Sequence, residues 1–219
     1  ELTVFCSDDS KLSVPIETVD SGASMFAADL PHGKHIIFEL ALIGKAFQME
    51  DRFDLYHAHI GNGDIVLPFV PMVQKPVIVT LHYTLGDAYM KRYFSLYRDV
   101  PNLHFVAVSA AQRLPIPDLP YAATIYHGID ADRFSFDANG GEELMWAGRG
   151  VPEKGLADVI EVALRTKKRA RLFAIMNEEH RAWIEKLSHK AKISVDNERE
   201  DLVREYQSSK AFLFPLQWE

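Results

Sequence analysis

The chain has 219 residues and a mass of 24.8 kDa, the length of one large domain or two small ones. Hydrophobic residues make up 47% and charged residues 25%, enough apolar material to offset the entropy of ordering, so bulk disorder is excluded. With 24 Lys plus Arg against 31 Asp plus Glu, the net charge is -7, which argues against the broad basic face of a general nucleic-acid binder and leaves room for a small basic pocket. Cys6 is the single cysteine; no internal disulfide can form, and a reducing, cytoplasmic setting is expected. The richest apolar stretch, 36–47, is broken by Glu39 and Lys45 and is shorter than the roughly 18 residues of a membrane span. No signal-peptide pattern is present. The chain opens in what reads as a strand with no Met before it, so upstream sequence is expected.

Short β-rich runs alternate with helical patterns. Strands are predicted at 2–6, 55–60, 76–81, 104–109 and 123–126, then at 144–147, 171–175 and 211–214. Helices are predicted at 36–49, 64–73, 87–98, 155–165, 178–191 and 199–208. Leu156, Val159, Ile160 and Ala163 recur at i, i+3, i+4, i+7 and form one apolar helix face. The strands are continuous apolar runs, such as Val77-Ile78-Val79 and Phe105-Val106-Ala107-Val108. Runs of that kind belong to strands covered on both faces, so the alternation predicts an α/β protein with parallel sheets. Residues 127–141 have turn composition and little periodicity. They are read as the connection between a first unit, 1–126, and a second, 142–219. No solenoid repeat or low-complexity tract is present.

In open parallel sheets, ligands bind outside the carboxyl ends of the strands. The polar residues expected there are His57, His59, His82 and Ser109 in the first unit and Gly148-Arg149-Gly150 in the second. The run from Gly148 through Arg149, Gly150 and Lys154 to Gly155 is the strongest constellation. Its glycines would let the backbone turn off the strand, and Lys154 would stand beside a helix N-terminus, which attracts anions. Two cations there suit a diphosphate; an ordinary solvated loop has the same spacing. Neither a Walker loop nor a dinucleotide fingerprint is present. His57 and His59, two apart on a strand, project to one side. They read as a metal pair, as hydrogen bonders to sugar or phosphate, or as structural histidines, and no third ligand is evident. Ser109 reads as a cap for the residues that follow it, with no nucleophile-elbow glycines around it. Asp130-Ala131-Asp132 has a metal-holding spacing but sits in a connecting loop, and the acidic run 197–201 reads as a solvated helix start.

Several of these segments together resemble the retaining glycosyltransferases of the GT-B fold, in the glycogen-synthase-like family four. Phe53-Asp54-Leu55-Tyr56-His57-Ala58-His59 is similar to that family's "fDvvHaH" strand, and Val77-Ile78-Val79-Thr80-Leu81-His82 to its "vvtlHg" strand. Val106-Ala107-Val108-Ser109-Ala110-Ala111-Gln112 resembles "vavS-x-aq". Ile125-Tyr126-His127-Gly128-Ile129-Asp130 with Phe134 resembles "v-x-nGiD-x-x-x-F", with His127 where Asn is usual. Gly148-Arg149-Gly150-Val151-Pro152-Glu153-Lys154-Gly155 is similar to the donor-site "GRl-x-x-eKG", and Phe212-Leu213-Phe214-Pro215 to the strand before the acidic signature. The six stand in the family's order over the whole chain.

The resemblance implies two Rossmann-like parallel-sheet domains facing across a cleft, both incomplete here. It implies that Arg149 and Lys154, with Gly148 and Gly150, bind the diphosphate of a nucleotide-sugar donor. His59 would act beside the transferred sugar, with His82 and Ser109 on the acceptor side. The implied reaction is a hexosyl transfer with retention to a sugar, lipid or small-molecule acceptor. No metal, no other cofactor and no nucleic acid are expected; peripheral membrane contact stays open. The alternatives are a non-catalytic nucleotide-sugar-binding module and a nucleotide-sugar epimerase. The chain departs from the family in three places. It starts at what reads as the second strand, without the Gly-rich loop. The Gly usual after 171–175 is replaced by Met176-Asn177. Pro215-Leu216-Gln217-Trp218-Glu219 ends one position before the first of two family glutamates. A truncated, inactive fragment is therefore expected.

Overall fold

The computed structural model describes residues 1–22, 30–31, 33–59, 64–175, 178–191, 195–196 and 202–217. The expectations for Ile60, for Met176-Asn177, for the run 197–201 with the helix start at Arg199, and for Trp218-Glu219 lie outside them. The chain divides into two compact units, Glu1–Gly128 and Ile129–Glu219.

The first unit opens with β1 (Val4–Phe5) and β2 (Ile16–Glu17), a short parallel pair. Helix α1 (Ile36–Gln48) follows, then β3 (Tyr56–Ala58), β4 (Val77–Leu81), α2 (Ala88–Ser95), β5 (Leu103–Ala107) and β6 (Tyr121–Thr124). Strands β3 to β6 lie side by side in chain order and are all parallel. Val77, Val79, Leu81, Leu103, Phe105 and Ala107 are fully buried, which is why β4 and β5 read as unbroken apolar runs. Phe94 from α2 packs on Phe105 with ring centroids 5.6 Å apart. At the amino end of β5 the Asn102 side-chain amide donates to the carbonyls of Val70, Val73 and Lys75. It thereby ties a 3-10 turn and the loop that follows it to the start of β5.

The second unit contains β7 (Leu144–Arg149), α3 (Leu156–Thr166), β8 (Ala170–Ile175), α4 (Glu178–Ala191), β9 (Val195–Asp196), α5 (Leu202–Ser208) and β10 (Ala211–Phe212). Its sheet has the order β10-β7-β8-β9, again all parallel. The predicted face of α3 is the buried one: Leu156, Val159, Ile160 and Ala163 pack with Trp146, Leu172 and Ile184. Parallel strands joined by helices make each unit a Rossmann-like α/β layer.

Three expectations change. The helix predicted over 64–73 is a 3-10 helix at Leu67–Met72. Pro68 and Pro71 carry no N–H, so an α-helical ladder would lose donors there. Strands β2 and β9, two residues each, are too short to leave a periodic signal. Strand β7 runs on past Ala147 through Gly148 and Arg149, which pair with Ala174 and Ile175.

Candidate active site

At the carboxyl ends of β3 and β4, four imidazoles form a row. The His57 and His59 rings stand 4.3 Å apart on one side of β3, as strand alternation requires. His57 Nε2 lies 2.8 Å from the hydroxyl of Thr80, the buried polar residue of β4. His59 Nδ1 lies 3.0 Å from His82 Nε2, so one ring donates its N–H and the other accepts. His127, just past β6, stacks on His82 with centroids 5.3 Å apart and planes 4° from parallel. His57, His59 and His82 are exposed overall, and the surrounding protein still removes part of the water around each ring. That desolvation comes first in holding all three below the ordinary value of 6.5. Repulsion between neighbouring imidazoliums adds to it: His82 acts on His57, His57 and His127 on His59, and His59 and His127 on His82.

Ser109 lies two residues past the end of β5. Its hydroxyl accepts the N–H of Gln112 at 3.1 Å, the capping contact expected of it, here at the start of a 3-10 turn, Ala111–Arg113. The Gln112 side chain then reaches back over the strand ends. Its Oε1 accepts the Val108 N–H at 2.8 Å, and its Nε2 donates to the carbonyls of Leu81 at 3.0 Å and Tyr83 at 2.7 Å. His82 is the residue between those two carbonyls.

In the second unit Arg149 is the last residue of β7 and exposed, and Lys154 is half-buried. Gly148 and Gly150 do not turn the chain as expected: the Gly150 N–H still bonds the Ile175 carbonyl at 2.9 Å, so the ladder extends past Arg149. Both glycines are there for close packing instead. A Cβ on Gly148 would lie 3.2 Å from the Trp146 ring, and one on Gly150 would overlap Ile184. The turn comes later, through a 3-10 helix, Pro152–Lys154, to Gly155 at φ 70°, which caps α3. That left-handed value favours glycine. The buried Trp146 indole donates its N–H to the Lys154 carbonyl at 2.9 Å, and the Lys154 ammonium lies 5.2 Å from the centre of the Phe214 ring, a cation–π contact. Sheet and cap together hold Lys154 at the entrance to α3.

Within the first unit the structure thus joins His59 and His82 and sets Ser109 beside the Gln112 amide. Within the second it places Gly148, Arg149, Gly150 and Lys154 along one strand-to-helix passage. Sequence reasoning did not single out His127 or Gln112 for a role. The one signal for His127 was its place where the resembled family carries Asn. Asp130 caps a 3-10 turn, Ala131–Phe134, with no side-chain bond. Among the described residues no group of three or more His, Cys, Asp or Glu side chains is arranged to hold a metal ion, and no helix is long and apolar enough to cross a membrane.

No family model and no curated protein matches this chain. Solved structures do. Anabaena HepE in complex with UDP-glucose superposes with a TM-score of 0.65 at 13% identity, over 91% of this chain and 60% of that one. A glycosyltransferase from Rickettsia africae gives 0.58 at 14%, over 93% and 60%. AviGT4, a glycosyltransferase of avilamycin A biosynthesis, gives 0.58 at 17%, over 99% and 56%. The chain spans about 60% of the length of these solved chains. Its Rossmann-like parallel-sheet α/β architecture is the fold that these glycosyltransferases share.

Proposed function

We propose that this chain is part of a glycosyltransferase that takes a hexosyl group from a nucleotide-diphosphate sugar and passes it to an acceptor hydroxyl with retention, without a metal. The observation that carries the reading is the passage from β7 to α3. Arg149 ends the strand, Lys154 precedes the helix, and Gly155 turns the backbone into α3. Cations and the positive end of a helix together stabilise a diphosphate. The fold shared with HepE, which is solved with UDP-glucose, supports the same reading, and uridine diphosphate is the first nucleotide to try. In the transfer the bond from the anomeric carbon to phosphate oxygen breaks, and its electron pair stays on the diphosphate. Arg149 and Lys154 stabilise that growing negative charge, the task a divalent ion has elsewhere. The acceptor oxygen bonds the carbon on the face the diphosphate leaves, and its proton departs with the diphosphate. His59 contacts the transferred sugar, and His82 and Ser109 border the acceptor, a sugar, lipid or small molecule. The single cysteine fits action in the cytoplasm.

The test is calorimetric titration of the chain with uridine, guanosine and adenosine diphosphates. One of the three should bind, and Arg149→Ala and Lys154→Ala should each weaken it about tenfold or more, since tenfold is ~1.4 kcal/mol and a charge-assisted hydrogen bond contributes about 1.5–3 kcal/mol. Failure of all three nucleotides, or variants that bind like the unsubstituted chain, would overturn the assignment.

A further inference from the structure

We propose that Gln112 is a positioning residue that sets His82 against His59, acting through the backbone on both sides of His82. The inference rests on the acceptor-side role given to His82 above. Beyond β4 the chain leaves the sheet: Leu81 is the last paired residue, and the segment carrying His82 runs unpaired to α2, which begins at Ala88. An imidazole on such a segment has no ladder to fix its height. The Gln112 carboxamide supplies the missing constraint. Its NH2 group holds the Leu81 and Tyr83 carbonyls together, at 3.0 and 2.7 Å. Its oxygen anchors the same amide to the Val108 N–H at 2.8 Å. The Gln112 N–H is itself held by Ser109, so the chain of bonds leads back to the end of β5. With residues 81 and 83 pinned, the backbone at His82 is fixed in the position from which His82 Nε2 reaches His59 Nδ1, 3.0 Å away just past β3. The side chain that follows it points the other way: Tyr83 packs against Phe94 in the core. Only a primary amide has this pattern of two donors and one acceptor at the right reach.

Asn102 provides an internal control, because it performs the same chemistry at the opposite end of the sheet. Its amide also donates to three backbone carbonyls, but none of them flanks a histidine. The experiment records two-bond proton–nitrogen spectra of the imidazoles, as a function of pH and without nucleotide, in four chains: unsubstituted, Gln112→Met, Gln112→Glu and Asn102→Ala. Met keeps the length of the side chain and removes all three bonds; Glu keeps the acceptor for Val108 and removes both donors. In the unsubstituted chain His59 and His82 should each show a fixed tautomer and titrate below 6.5. In both Gln112 variants their ring nitrogen shifts should move toward tautomer-averaged values, and their titration midpoints should rise toward 6.5. His104, in β5, should keep its signals. Asn102→Ala should lower the unfolding midpoint while leaving His59 and His82 as they are. The proposal is overturned if the Gln112 variants leave both histidines unchanged. It is equally overturned if Asn102→Ala moves them as far, or if both Gln112 variants fail to fold while Asn102→Ala folds, because Gln112 would then serve the fold and not the histidines. No nucleotide enters this measurement, so its outcome is separate from that of the diphosphate titration.

Discussion

A proton added to His57, His59 or His82 costs more in this protein than in water, because partial burial desolvates the ring and a neighbouring imidazolium repels the added charge. All three are held below 6.5, so the sign of the pH effect follows. Below about 6.5 the unfolded chain binds protons that the folded chain refuses. The contribution of these groups to stability is therefore whole above 6.5 and is lost as pH falls through their depressed folded values. Urea unfolding midpoints measured from pH 7.5 down to 5 should drop more steeply for the unsubstituted chain than for His82→Gln, which removes the middle member of the row. Parallel slopes for the two chains would refute the account. Of these contacts, the His57–His59 pairing was legible from strand alternation alone. The His59–His82 bond and the His127 stack were not, because they join residues 23 and 45 positions apart, past the ends of separate strands.

At the scale of single elements, chain punctuation decides more than hydropathy does. Residues 64–73 are apolar enough for a helix, and two prolines make the segment a 3-10 helix instead. The passage from β7 to α3 hangs on Gly155 in the same way. Its φ of 70° costs a side-chain-bearing residue about 1–2 kcal/mol, and an added Cβ would run into the backbone carbonyl of Pro215. Gly155→Ala should therefore lower the unfolding midpoint by more than the backbone cost alone and displace the residues around Pro215. The expected readouts are a reduced urea midpoint and altered amide shifts at Leu216 and Gln217, whose N–H bonds the Glu153 carbonyl at 2.9 Å. A midpoint within experimental error of the unsubstituted chain would show that Pro215 does not press on this glycine. Gly148 and Gly150 carry a different lesson. The glycine pattern around Arg149 suggested a turn, whereas the strand continues and the glycines make room for Trp146 and Ile184.

At the scale of the molecule, the two units have separate cores. One gathers Leu81, Phe94 and Phe105 with their neighbours; the other gathers Trp146, Leu156 and Leu172, and the two clusters share no residue among those described. Leu172 is fully buried, and Leu172→Ala should cost about 2–5 kcal/mol. Native-state hydrogen exchange should show that cost as lost protection in β7 and β8, with β4 and β5 keeping theirs. Equal loss in both sheets would mean that the two cores unfold as one.

The amino-acid sequence by itself determined the α/β class, the parallel strands, the buried face of α3, the strand-end addresses of His59, His82 and Arg149, and the place of Lys154 just before a helix. These properties rest on local periodicity and on the rule that parallel sheets present their carboxyl ends to ligands. Only the tertiary structure decided which side chains touch there. The amide of Gln112 across the ends of β4 and β5, the His127 ring on His82 and the Trp146 indole under the Lys154 carbonyl are set by packing between segments distant or differently oriented along the chain, and spacing along a sequence carries no record of that.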